Sequence, residues 1–446
     1  MAVSSCVWLL CASLIFITTA VGIENGAVFR VRSSLIWQQR AVDAIDAHHQ
    51  LKPPDSHGIY HTVITIGTPP MEYRVQVDTG SDILWIDCHM KGYHDELGHQ
   101  LYDPNASFTG KLVTCDEEIC KDINGAGCKA NTSCLYDKSY GDGSNNTGYL
   151  VKDLVQYDSV SGDFETRLEN ASVIFGCRTI QSANLNSSFD GLDGILGFGK
   201  SNASVLSQLA SLGVKRMFAH CLDGYNSGGI FAIGHVVQPN VINSTPLIPG
   251  EEHYTFYVTG IKVGGEFLNL SNGIVEKRKA VIDSGTSLVY LPDVIYKPLV
   301  NKILAVQSGM RSHVLLDNFT CIGGSISVDD ELPAVTFHFE NSLLLKGDLL
   351  CLGWQENYMG STSERDIIVL GELILLDNLF LYDLENQTVG WTEYNCSSSI
   401  ALTDEASGLV NLVGFGSDSV SSAMSLIIHR FLIFLLLVSL PIIHAK

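Results

Sequence analysis

Val77-Asp78-Thr79-Gly80-Ser81 is answered further along the chain by Ile282-Asp283-Ser284-Gly285-Thr286. In each stretch one acidic residue follows an apolar β-type run, precedes a glycine and stands among small hydroxyl residues. Each alone is too weak to do chemistry, but together they supply two carboxylates to one cleft. Two carboxylates a few ångströms apart disfavour double ionisation, so they share a proton, and one acts as base while the other acts as acid. A water held between them becomes a nucleophile without a metal. The duplication extends beyond the aspartates, because two apolar residues and a glycine recur as Ile195-Leu196-Gly197 and Val369-Leu370-Gly371. One architecture is written twice.

The surrounding pattern is mostly strand. Runs over 59–66 and 72–77 flank Gly67-Thr68-Pro69-Pro70, whose glycine and prolines favour a turn, so a hairpin delivers Asp78 to its loop. Residues 254–263 alternate in the same way before Gly264-Gly265, and Ala280-Val281-Ile282 leads into Asp283. Helical patterns are confined to 204–212 and 292–307. Mostly strands with a few short helices predicts an all-β chain, and the duplicated motif predicts two related lobes with the cleft between them. A length of 446 residues suits two lobes with extensions at both ends. The expected division places an N-terminal lobe at 58–240 and a C-terminal lobe at 241–397, with Pro239, Pro246 and Pro249 punctuating the boundary.

A formal net charge of -21 argues against nucleic acid as a partner, because phosphates would be repelled. The first 22 residues carry a short apolar run followed by Thr18, Ala20 and Gly22, the layout of a secretory signal. Residues 23–57 are polar and helix-permitting, with Arg30, Arg32, Arg40 and Lys52 as the basic groups of a short pro-segment. After a stalk at 398–417, residues 418–446 combine small residues, a spacer and a terminal apolar tail. That pattern reads as a glycosylphosphatidylinositol signal, removed on attachment of lipid at Ser417. The chain is therefore expected at the cell surface, lipid-anchored on the outer plasma membrane or released outside the cell.

Of twelve cysteines, Cys6 and Cys11 leave with the signal, and the even remainder in a secreted chain predicts disulfides. Cys115, Cys120, Cys128 and Cys134 crowd one loop, and spacing alone does not fix who pairs with whom. Oxidised sulfur does not ligate zinc, and no metal or other cofactor is expected. Acceptor sequons occur at Asn105, Asn131, Asn145, Asn170, Asn186, Asn202, Asn243, Asn269, Asn318, Asn386 and Asn395. Glycosylation is expected at these positions other than Asn145 and Asn395, which stay unassigned. Gly194 to Ser201 satisfies the phosphate-loop pattern of glycines, lysine and serine. It overlaps an apolar-glycine signal that recurs without lysine, so nucleotide is not expected as a partner. His89, His94 and His99 share an insert at a spacing that suits neither helix nor strand neighbours, and an exposed loop is expected.

These paired motifs resemble the pepsin-like aspartic proteases, within them the plant nepenthesin-like, membrane-anchored group, from about Gly58 to Cys396. The resemblance implies catalytic roles for Asp78 and Asp283. It implies carboxylate-orienting roles for Thr79, Gly80, Ser81, Ser284, Gly285 and Thr286, with Thr79 and Ser284 cross-linking the two loops. Ser139-Tyr140-Gly141-Asp142-Gly143-Ser144 looks like the flap that closes over substrate, with Tyr140 and Gly141 at its tip and Trp85 behind it. The resemblance further implies a Cys321–Cys351 disulfide, a basic pro-segment lying over the acidic cleft as in a zymogen, and a monomer that cleaves polypeptides. A different outcome on the same fold is an inert inhibitor or recognition protein, as some plant relatives are.

Overall fold

The computed structural model describes residues 27–33 and 60–414, less 90–99, 125–127, 142, 161–165, 182–191, 225–227, 240–241, 271–272, 275–276, 307–310, 315–319, 324–332, 341–342, 348–353, 359–363 and 404–407. The expected signal, the expected lipid-attachment site Ser417, the sequons at Asn186 and Asn318 and the expected Cys321–Cys351 pairing lie outside what is described, as do His94 and His99.

Strand dominates, as the alternation predicts. Tyr60–Ile66 and Met71–Asp78 form the hairpin that carries Asp78, and the second buries Tyr73, Val75 and Val77. Met71–Asp78 then pairs in parallel with Gly194–Gly197, placing Asp78 opposite Gly197. The second half repeats this register: Arg278–Ile282 pairs in parallel with Ile368–Leu370, placing Ile282 opposite Leu370. In each half a further strand, Trp85–Asp87 or Val289–Leu291, lies antiparallel on the apolar-glycine strand, so each aspartate loop is clamped from two sides.

The lobes are joined more deeply than a boundary at 240/241 suggests. Asn378–Asp383 and Thr388–Glu393, from the C-terminal end of the sequence, pair into the same sheet as Met217–Asp223 and Gly228–Ile233. Below the cleft the rings of Phe198, Phe218, Phe231, Tyr254 and Tyr382 pack as one aromatic layer, with Phe218 and Tyr382 stacked at 4.3 Å between centroids. Tyr254 Oη closes the layer by donating to Phe198 O at 2.6 Å. Burying such large rings together is the main apolar gain of the inter-lobe region.

The ends of the chain depart from expectation. Ala27–Ser33, within the segment expected as polar and helix-permitting, is a strand between Gly228–Ile233 and Tyr60–Ile66. Its alternation of Val and Arg suits a strand once open sheet edges are available to pair with. Residues 398–417 are not a plain stalk: Ser399–Thr403 and Val410–Gly414 pair with each other, and Ile400, Leu402 and Val413 bury against Met217, Ala219 and Leu381. Those apolar positions cover the outer face of the inter-lobe sheet, and Cys221–Cys396 ties them down.

Helices appear where predicted, at Val205–Ala210, capped by Ser204, and at Asp293–Val306. Glu118–Asn124 and Glu372–Leu375 are additional, both too short to leave a helical period in the sequence.

Candidate active site

The two aspartate loops meet at the bottom of the cleft and grip each other symmetrically. Thr79 N donates to Ser284 Oγ at 3.1 Å, and Ser284 N donates to Thr79 Oγ1 at 3.0 Å. Each hydroxyl then donates onward across the pair, Ser284 Oγ to Val77 O at 2.9 Å and Thr79 Oγ1 to Ile282 O at 3.4 Å. Four hydrogen bonds in a buried place, all satisfied, fix the distance between lobes where a small error would separate the carboxylates.

Each carboxylate is held by its own loop in the same way. Gly80 N donates to Asp78 Oδ1 at 2.7 Å and Ser81 Oγ to Asp78 Oδ2 at 2.5 Å. In the other half Gly285 N donates to Asp283 Oδ1 at 2.8 Å and Thr286 Oγ1 to Asp283 Oδ2 at 2.6 Å. The glycines do more than let amides approach. A Cβ on Gly80 would stand 2.5 Å from Cγ of Asp283, and one on Gly285 would stand 2.5 Å from Cγ of Asp78. Each glycine therefore makes room for the aspartate of the opposite lobe.

Asp78 is buried and Asp283 half-buried, and their carboxyls lie within hydrogen-bonding reach. Burial first, and the negative Asp283 second, push the Asp78 carboxyl well above the usual range, against the pull of Ser81 and Gly80. A proton is retained on the pair under conditions where an isolated aspartate would have lost it.

Over this pair lies the hairpin of Leu135–Ser139 and Asn145–Val160. Tyr140 N donates to Ser144 O and Gly143 N to Tyr140 O, and Gly143 takes φ +83°, which a side chain would resist. The phenol is pushed up by burial and by Asp78, which places it in the field of the dyad. Trp85 Nε1 donates to Tyr140 Oη at 2.6 Å, joining the tryptophan to the flap. Gly141 is exposed at the tip.

Sequence reasoning missed what stands behind Trp85. Cys88–Cys177, Cys115–Cys128 and Cys120–Cys134 brace the base of the flap, and Cys134 immediately precedes its first strand. Arg178 and Asp87, 4 % and 3 % exposed, form a bidentate ion pair beside Trp85. The sequence signal was present, two charged residues each directly following apolar positions, Asp87 after Trp85-Ile86 and Arg178 after Val173 to Cys177, but nothing in the spacing linked them.

Other flagged residues fall elsewhere. Lys200, in the phosphate-loop pattern, donates to Glu251 O at 2.8 Å, while the amides of Phe198, Gly199 and Ser201 donate to Asp78 O, Ser81 O and Asp82 Oδ1. The amides that would cradle a phosphate are already engaged in shaping the Asp78 loop. Asn105, Asn131, Asn145, Asn170, Asn202, Asn269, Asn386 and Asn395 are exposed, whereas Asn243 is half-buried in a strand opposite Trp391.

Two lobes of β-structure, each offering one aspartate to a shared, proton-retaining pair beneath a tyrosine flap, define a pepsin-like aspartic proteinase architecture. Comparison with known proteins agrees. Residues 60–235 match the family described as xylanase inhibitor N-terminal, and 253–393 the one described as xylanase inhibitor C-terminal. Aspartic proteinase 39 of Arabidopsis thaliana is 40 % identical over 391 residues, 84 % of this chain and 81 % of that protein. Aspartic proteinase 36 of the same plant is 35 % identical, covering 97 % of this chain and 96 % of that protein. Aspartic proteinase nepenthesin-2 of Nepenthes gracilis is 26 % identical over 77 % of this chain and 79 % of that protein. Among solved structures, basic 7S globulin from soybean superposes with a TM-score of 0.61 at 20 % identity, covering 83 % of this chain and 96 % of that one, which shows the shared fold. The chain belongs to the plant aspartic proteinase family of the pepsin-like fold.

Proposed function

We propose that this protein is an aspartic endopeptidase, secreted and tethered to the outer plasma membrane by a glycosylphosphatidylinositol lipid, that cleaves polypeptides lying extended across the cleft. The observation that carries the reading is the intact pair: Asp78 and Asp283 within hydrogen-bonding reach, each with both oxygens held by matching donors. A water held between them loses a proton to the ionised carboxylate as its oxygen bonds to the peptide carbonyl carbon. The protonated carboxyl donates to the carbonyl oxygen as negative charge develops there, and a proton passes to the nitrogen as the C–N bond breaks. Tyr140 closes over the substrate and excludes bulk water.

The test uses acid-treated secreted protein, a diverse peptide pool, Asp78→Asn as control and a pepstatin-type inhibitor. Cleavage that the substitution and the inhibitor both abolish is expected, strongest at acid pH, because one proton must remain on the pair. Activity falls as pH rises past the elevated value of Asp78. Equal inactivity of native and substituted protein would instead favour an inhibitor or recognition role. That second reading draws on the xylanase-inhibitor description of the matching families. Phospholipase release of the protein from intact cells tests the anchor, and mass analysis of the released chain tests the sequons and the removal of residues 23–57.

A further inference from the structure

We propose that the buried Asp87–Arg178 ion pair is the positioning device of the flap: it fixes the indole of Trp85 and, through it, the resting place of Tyr140 over the dyad. The proposal rests on the proteolytic reading for its kinetic consequence but not for its geometry.

Trp85–Asp87 is a strand of three residues, so the side chains of Trp85 and Asp87 leave it on the same side. The neighbouring parallel strand sets Arg178 opposite Asp87. Arg178 Nε and Nη2 donate to the two carboxylate oxygens, a fork that fixes the plane as well as the place of the guanidinium. That guanidinium carbon stands 4.4 Å from the centroid of the Trp85 ring, covering one face. The indole is thus held by Arg178 on its face and by Tyr140 Oη at its nitrogen. Tyr136, in the first strand of the flap, packs in the same buried cluster as Trp85, so the pair stands beside the base of the flap.

Stability does not explain the pair. Two charges buried in a sheet lose hydration that their attraction barely repays, and apolar residues of similar volume often serve as well or better. Arg178 Nη1 is buried with no hydrogen-bond partner among the described residues, a further cost. What the fork supplies that apolar packing does not is orientation, and the group it orients is the one that hydrogen-bonds the flap tyrosine.

The pair is tested with Asp87→Asn/Arg178→Gln, which removes both charges without stranding either. KM for a peptide substrate is expected to rise about five- to tenfold with kcat changed less than about twofold, because the dyad is untouched while the closed position of the flap is blurred. In 15N-indole spectra, with the Trp85 signal assigned through Trp85→Phe, the Trp85 N–H should lose protection from solvent exchange. Arg178→Lys keeps the charge but not the fork and should reproduce both changes. Tyr140→Phe removes the far end of the relay without touching a buried charge; it should raise KM to the same degree, and combining it with the double variant should add nothing further. Unchanged KM and unchanged indole protection in the double variant overturn the proposal, as does full additivity with Tyr140→Phe. Should the double variant not fold, an unaltered KM in Arg178→Lys overturns it equally. If the native protein cleaves nothing, the proteolytic reading fails by itself and the indole signal alone decides the positioning role.

Discussion

The two halves of the site share a motif, a register and a set of donors, yet among the described residues only the first carries a flap. Trp85 pairs with Ile195 as Tyr290 pairs with Val369, each partner being the first apolar residue of its own half's glycine signal. Beyond that point the halves diverge. In the first, the next strand brings Arg178 to Asp87, and the chain before it rises into a disulfide-braced hairpin. In the second, the equivalent parallel strand Trp354–Glu356 lies against the buried, apolar Val289 and Leu291, and Asn357, buried at 4 % exposure, donates its side-chain amide to Ile367 O. Duplication makes the proton-sharing pair, since equal carboxylates need equal surroundings.

The largest effect should come from breaking the symmetric part. Asp78→Asn and Asp283→Asn are each expected to reduce peptide cleavage by at least about 10^3-fold, measured on purified protein at acid pH, since neither half does the chemistry alone. An effect confined to one of them would show that the halves are not equivalent in function.

The grip comes next. Thr79→Val and Ser284→Ala each delete a buried acceptor and a buried donor, and each should destabilise the fold by about 1–3 kcal/mol in denaturant unfolding. Their costs should agree within roughly 1 kcal/mol, given the matching geometry. A markedly larger loss at one position would reveal a hidden asymmetry.

The unequal part predicts an unequal pair of results. Trp85→Phe keeps an aromatic ring but removes the donor to Tyr140, and kcat/KM should fall about tenfold. Tyr290→Phe, at the matching position in the half without a flap, should change it by less than about twofold.

The smallest expected effects are shifts of stability with pH, and two buried groups oppose each other. Glu372, following the second glycine signal where the first half has Phe198, accepts from Tyr60 N at 3.0 Å, and burial holds its carboxyl well above the usual range. The folded state keeps that proton longer than the unfolded chain, so its stabilising contribution is full below about pH 4.5 and is lost as pH rises. Glu372→Gln retains an acceptor and cannot ionise; it should raise Tm at pH 7 by roughly 3 °C and leave it nearly unchanged at pH 4. His220 is the reverse case. It is stacked among Phe231, Phe380 and Tyr382, and burial lowers it to about 3. The folded state refuses a proton that the unfolded chain accepts below about 6.5, so stability falls between those values as pH drops. His220→Phe should therefore raise Tm at pH 4 relative to its effect at pH 7. Thermal scans at the two pH values check both.

Residue order determined the repeated part. An acidic residue between an apolar strand and a glycine is a local pattern, and finding it twice with the same downstream signal exposed Asp78, Asp283, the hydroxyl residues beside them and the all-β class. The family resemblance, not the spacing, pointed to Tyr140 and Trp85, which the structure joins by the hydrogen bond from Trp85 Nε1 to Tyr140 Oη. Tertiary structure alone decided the rest. Asp87 meets Arg178, Cys88 meets Cys177 and Glu372 meets Tyr60 only after distant strands align, and neither spacing nor periodicity encodes such partners. The strand Ala27–Ser33 and the sheet at the C-terminal end depend likewise on edges and faces that other segments leave open. Local chemistry reads along the chain, whereas a buried charge or an open sheet edge finds its partner through space.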